Sequence, residues 1–300
     1  MVANWPLIAL RIAESFLFVL IVIGSIVAAI IPIAVAAGVS NFDNIRNADN
    51  PGDAIAALIV GHWPLIVYVL AIITVLLTVL IAIHSFVEAG NAKIFVEAEH
   101  GAGPAMPPTR DPYRAFTMDR WLQGGRMAWW SVFWIYNAAW SVACLILIVP
   151  LVLTIVTMLL ADAAGLRIAI GCGGLAITAI IGIPIAVIVA IWTQKAIAIS
   201  VARAATAGAA LKTAWSDIRA DFGRHFAVAA ILFAITFGGG MVISSFTMPF
   251  SILQGTSHAA PFMTLAFAPA RIVSSFLQSI FSSAVGLWFL ASFVGLTEER

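Results

Sequence analysis

Six long apolar stretches decide what this chain can fold into: residues 15–38, 63–86, 128–150 with an extension to 160, 168–193, 226–248 and 269–294. Each reaches the roughly 20 apolar residues that an α-helix needs to cross a bilayer. Hydrocarbon offers backbone N–H and C=O groups no partner, so such a segment crosses as a helix that bonds its own backbone. The expected fold class is therefore all-α, a polytopic integral membrane protein with six transmembrane helices in a single membrane domain over residues 1–300. The third run outlasts one bilayer and holds Pro150, which predicts a tilted or kinked helix. Composition agrees: 62% of residues are hydrophobic and 10% charged, against about 45–50% and 25% in soluble domains. A net charge of +1 provides no basic field for nucleic acid, which is not expected as a partner. Both cysteines lie inside apolar runs, which excludes a disulfide-stapled scaffold.

The charges between the runs set the orientation. Lys93, Arg110, Arg114, Arg120 and Arg126 fall between the second and third runs, and Lys195, Arg203, Lys212, Arg219 and Arg224 between the fourth and fifth. Arg11 and Arg300 flank the first and last runs on the same side, whereas only Arg46, Arg167 and Arg271 fall on the other. The positive-inside rule then places both termini and both basic loops in the cytoplasm. A cleaved signal peptide ending near Ala34-Val35-Ala36 is the rival reading. Its apolar core is longer than usual and starts late.

Both basic loops carry amphipathic segments. In the first, a Gly/Pro-rich turn (GAGPAMPP) precedes Asp111-Pro112, a candidate N-cap and first-turn proline. Beyond it Met118, Trp121, Leu122 and Gly125 share one helical face. In the second, Leu211, Trp215, Ile218 and Phe222 recur at helical spacing, with Lys212, Ser216 and Arg219 opposite. Two interfacial amphipathic helices in the inner loops are expected, with Trp121, Trp215 and Arg219 as interfacial anchors touching membrane lipids. Packing of these helices on the ends of the spans is the competing arrangement. The two loops also echo one another, each running from aromatic residues through acid, base, glycine and arginine straight into a span.

The segment 195–231, KAIAISVARAATAGAALKTAWSDIRADFGRHFAVAAI, resembles the connection between spans in uncharacterised bacterial six-span membrane proteins. These are related to the membrane domain found fused to glycerophosphodiester phosphodiesterases. Ala210-Leu211-Lys212, Trp215 and Phe222-Gly223-Arg224 occupy the places that carry the likeness, and Phe116, Trp121 and GGRMAWW are similar to the other inner loop. The resemblance implies a multi-pass protein of the bacterial cytoplasmic (inner) membrane. It carries over no catalytic residue, because the fused phosphodiesterase domain has no counterpart in this sequence.

Several groups are candidates for chemistry. His84 and Glu88, four residues apart on one helix face, form a candidate relay or ion pair at the end of the second run. Nothing in the spacing of the five histidines pairs them for haem or a metal. The acidic loop around Asp43, Asp49 and Asp53 lacks the alternate ligand spacing and terminal glutamate of an EF-hand. No cofactor, metal or catalytic residue is therefore assigned. Gly171, Gly173, Gly174, Gly182 and Pro184 are expected to interrupt the fourth span, and Gly238-Gly239-Gly240 the fifth. Interrupted helices at a midplane are where transporters build sites, while close packing explains the same glycines. The uncharged but apolar connection 249–268 is expected to lie in the outer interface, re-enter, or cover a partner.

The sixth span carries a polar stripe, with Arg271, Ser275, Gln278 and Ser282 as a candidate polar path. It should face protein or a water-filled cavity. No Walker, G-x-S-x-G, H-E-x-x-H or dinucleotide pattern is present. The expected function is a non-catalytic integral membrane subunit or scaffold of a larger complex, with a membrane-protein partner or a homo-oligomer. The alternative is a transporter or lipid-handling permease using the sixth-span path.

Overall fold

A computed structural model of the chain describes residues 2–46, 63–103, 111–161, 163–256 and 260–298. The described residues contain no strand and fold into α1 (Pro6–Arg46), α2 (Trp63–Ala102), α3 (Met118–Leu160), α4 (Ala164–Ala202), α5 (Ala207–Ala220), α6 (Phe222–Thr256) and α7 (Ala260–Glu298). All but α5 are long and apolar enough to cross a membrane. Mean hydropathy of their most apolar windows runs from 1.8 in α7 to 2.7 in α2, α3 and α4.

The helices differ from the apolar runs in informative ways. α2, α3 and α4 continue well beyond the apolar runs at the ends carrying the basic residues. Among the described residues of the first basic loop, no separate amphipathic helix forms. Asp111–Tyr113 makes only a 3₁₀ turn. Thr117, in extended conformation, caps the helix instead, its side chain accepting the Arg120 N–H at 3.3 Å. The segment from Met118 thus forms the opening turns of α3, with Pro150 inside the same helix. α4 and α6 run unbroken through their glycines, so the interruptions expected there do not occur. α6 reaches Thr256 and α7 starts at Ala260, so most of the connection 249–268 is helix. Asp49, Asp53, His62, Arg110 and His258 lie outside the described residues.

Contacts divide the chain into two compact units, Met1–Ile12 with Ser85–Arg300, and Ala13–His84. In the smaller unit the two helix segments carry an apolar groove lined by Ile21, Ser25, Tyr68, Ile72, Val75 and Val79. In the larger unit, burial concentrates at the ends of the helices nearest the basic connections. Leu7, Ile94, Ile135, Ile197, Ile199, Leu287 and Leu290 are fully buried there. Toward the opposite ends the same helices expose Leu145, Ile180, Phe237 and Ile272. α5 packs onto this core through Ala210, Ala214 and Ile218. The Trp192 indole donates to the Leu211 carbonyl at 2.8 Å.

Small residues allow α2 and α3 to approach closely. A Cβ on Gly90 would stand 2.7 Å from Trp121 Nε1 and 2.8 Å from the Trp121 carbonyl oxygen. One on Gly125 would stand 2.6 Å from the Phe86 ring. Phe86 meets Trp121 edge-on at 5.6 Å. Gly174 and Gly239 make room in the same way for Thr154 and Phe281, whereas Gly173 and Gly238 face open space. We expect Gly90→Ala and Gly125→Ala to destabilise the protein by about 1–3 kcal/mol through overpacking. Gly173→Ala and Gly238→Ala should be neutral or stabilise by up to about 1 kcal/mol. Thermal unfolding in detergent separates the pairs, and equal effects at all four sites would contradict the packing described.

Candidate functional site

The buried core of the larger unit contains a polar layer. Glu88, wholly inaccessible on α2, forms an ion pair with Arg11 of α1, and its other oxygen accepts the Gln194 side-chain amide of α4 at 3.2 Å. One turn along α2, Asn91 Oδ1 accepts the Trp121 indole N–H at 3.0 Å. Lys195, also inaccessible, donates to the Leu296 carbonyl at 3.1 Å and to the Thr297 hydroxyl at 2.9 Å. Its ammonium lies 3.8 Å from Asp217 Oδ2 of α5. The Thr297 hydroxyl in turn donates a hydrogen bond to the Phe293 carbonyl at 2.8 Å. The layer thereby ties α1, α2, α3, α4, α5 and α7 to one another.

A second set of polar contacts holds the amino-terminal turn. The buried Asn4 amide donates to the Tyr113 carbonyl at 2.8 Å. Its oxygen accepts the Ala115 and Phe116 backbone N–H groups, each at 3.0 Å. On α6, His225 is buried face to face with Phe293, and its Nδ1–H donates to the Asp221 carbonyl at 2.8 Å. Among the described residues, His225 Nε2, Asn91 Nδ2, Thr193 Oγ1 and Gln194 Oε1 are buried with no hydrogen-bond partner.

The residues singled out from sequence fall in different places. In the smaller unit, His84 Nδ1 lies 2.7 Å from Glu14 Oε1, while Glu88 belongs to the polar layer of the larger one. Trp121 is not a lipid-facing anchor but a core residue, 7% exposed, because Gly90 leaves space for its ring and Asn91 satisfies its N–H. Trp215 is 41% exposed, with one edge against Trp192, and Arg219 is exposed. On α7, Ser275, Gln278 and Ser282 are exposed, while Ser283 is buried. The Arg271 side chain lies outside the described residues. Cys144 and Cys172 are exposed free thiols. Among the described residues no cluster of three or more His, Cys, Asp or Glu side chains could hold a metal ion.

Arg11, Gln194, Lys195 and Asn4 were not singled out by motif. Arg11, Gln194 and Lys195 stand as polar residues among apolar ones inside a helix end, and Asn4 precedes α1; neither placement identifies a partner. Chemically the layer neutralises charge and joins helices. No family model matches the chain, and no curated protein and no solved structure is significantly similar to it.

Removing one partner of a buried ion pair leaves the other charge uncompensated, at a cost of about 3–5 kcal/mol. We therefore expect Arg11→Met to lower the melting temperature sharply in detergent. Arg11→Met combined with Glu88→Leu should recover much of that loss, since a buried pair can be replaced by apolar groups at little cost. A double variant no more stable than the single one would show that the pair is not the interaction at stake.

Proposed function

We propose that the chain is a non-catalytic subunit or scaffold of a larger membrane assembly, resident in the bacterial cytoplasmic membrane with both termini and both basic connections on the cytoplasmic side. The observation that carries this reading is the outward-facing polar stripe of α7, where Ser275, Gln278 and Ser282 are exposed. A carboxamide against lipid tails has no hydrogen-bond partner. A second membrane helix laid along that face satisfies it, through contacts worth about 0.6–2 kcal/mol each. Trp130, Trp134 and Trp140 add exposed aromatic surface on α3. The buried charges Glu88 and Lys195 bind neighbouring helices, as expected of a structural layer, and the unbroken α4 and α6 lack the half-helix ends on which permeases build substrate sites. The charge asymmetry of the connections supports the orientation. The likeness of 195–231 to membrane domains that accompany a separate catalytic domain fits a supporting role.

Extraction with native lipids, followed by mass measurement of the intact assembly, tests the reading. A stoichiometric protein partner or a second copy is expected. Gln278→Leu should leave the chain folded and weaken that association by about 3- to 30-fold, the equivalent of one interhelical contact. A lone chain holding a defined small molecule would overturn the proposal. Orientation is checked separately by placing Ser216→Cys in a background with Cys144 and Cys172 replaced. A membrane-impermeant thiol reagent should label it only from the cytoplasmic face, and labelling of intact cells would reverse the topology.

A further inference from the structure

We propose that the larger unit carries a binding site for a phosphate-bearing anion, supplied by a phospholipid headgroup or by free phosphate. The site is a small pocket of about 90 Å³ between α2, α3 and the turn that closes α4. It opens past Met127 and Ala204, both exposed.

Lys93 provides the cation. Its stem lies across Gly124, where a Cβ would collide with the Lys93 side chain and come within 3.2 Å of the Ala89 carbonyl oxygen. The ammonium is 3.2 Å from one oxygen of Glu97, and Arg120 Nε is 3.3 Å from the other. One carboxylate is thus shared by two cations, and exposed Arg203 sits beside the pocket-lining Ala204. An ammonium with three donors has capacity beyond its contact with Glu97. Ser131 also lines the pocket.

The opposite wall is held in shape before any ligand arrives. Ala204 has φ of 49°, in the left-handed region that a residue with a Cβ rarely adopts. The Ala205 N–H donates to the Ser200 carbonyl at 3.0 Å, the Ser200 hydroxyl donates to the Ala205 carbonyl at 2.9 Å, and the Arg203 N–H bonds Ile199. This is a Schellman-type helix end, with Ala204 in the left-handed position that follows the cap, and it fixes the backbone of that wall. The remaining lining, Met127 and Val201 among it, is apolar and suits the glycerol and upper acyl carbons of a lipid. Trp129 and Trp130 follow directly on α3, the residue type that gathers at headgroup level.

The test uses the full chain in detergent, titrated with phosphatidylglycerol, phosphatidylcholine or inorganic phosphate, and read by intact-complex mass spectrometry and thermal melting. One phosphatidylglycerol per chain should be retained over phosphatidylcholine. Lys93→Gln should lower that retention on the order of 5-fold, the effect of one basic residue at a membrane surface. Ser131→Ala, a small change that leaves the helix ends intact, should lower it as well, whereas Arg219→Gln should not. If inorganic phosphate at millimolar concentration raises the melting temperature and Lys93→Gln abolishes the rise, the site stands and its ligand is soluble. The proposal fails if the lipids are retained equally and phosphate has no effect. It also fails if a folded Lys93→Gln protein binds as wild type does.

Discussion

A carboxylate and an ammonium withdrawn from water among apolar helices must find partners within the protein, and much of the architecture follows from how Glu88 and Lys195 do so. Glu88 requires Arg11 from one helix and Gln194 from another. Lys195 requires the last turn of α7 and draws in Asp217 from α5. Desolvation makes each arrangement all-or-none, because a half-made set leaves a buried charge. Apolar contacts between membrane helices are weakly directional, since lipid offers much the same surroundings. The ion pairs and capped amides therefore decide which helix ends meet, and the close-packed alanines and glycines accommodate that choice.

The outcome is an uneven molecule. In the larger unit one set of helix ends is dense, polar and mutually bonded, while the rest of each helix presents Leu, Ile and Phe outward. That contrast matches the two solvents a membrane helix meets. It also means that the buried polar residues serve cohesion, and that groups available to a partner are found on exposed surfaces. The polar edge of α7 and the pocket beside Lys93 are both of that kind. We propose another helix as the partner of the first and a small anion as the ligand of the second.

The helical class and the number of apolar helices were legible in the sequence, because hydrocarbon imposes a length and a composition that no soluble core requires. The exact ends were less so. Thr117 rather than Asp111 starts α3, and both types of residue cap helices well, so the difference lies in the tertiary placement of the 3₁₀ turn at Asp111–Tyr113. Trp121 illustrates the harder problem. On its own helix it belongs to an amphipathic face, and only Gly90 on a distant stretch of chain turns that face inward. Glu88 was visible as half of a pair with His84, since spacing along one helix can be read. Its bonds to Arg11 and Gln194 cross between helices and leave no periodic trace. The glycines of α4 and α6 suggested breaks because composition alone cannot tell a flexible residue from one that admits a neighbouring ring, as Gly239 admits Phe281.

The bonds of Asn4 impose an order on biosynthesis. Its amide closes on Tyr113, 109 residues further along. At translation speeds of 5–20 residues per second, that partner emerges about 5–20 s later. Throughout this interval the amino-terminal turn lacks the carbonyl and N–H groups it will eventually bind, and Arg11 awaits Glu88 for much of it. The contacts that fix the amino-terminal turn are therefore complete only once α2 and the segment after it have been made. A contact made by one asparagine in the finished protein thus joins the first turn of the chain to a segment synthesised about a hundred residues later.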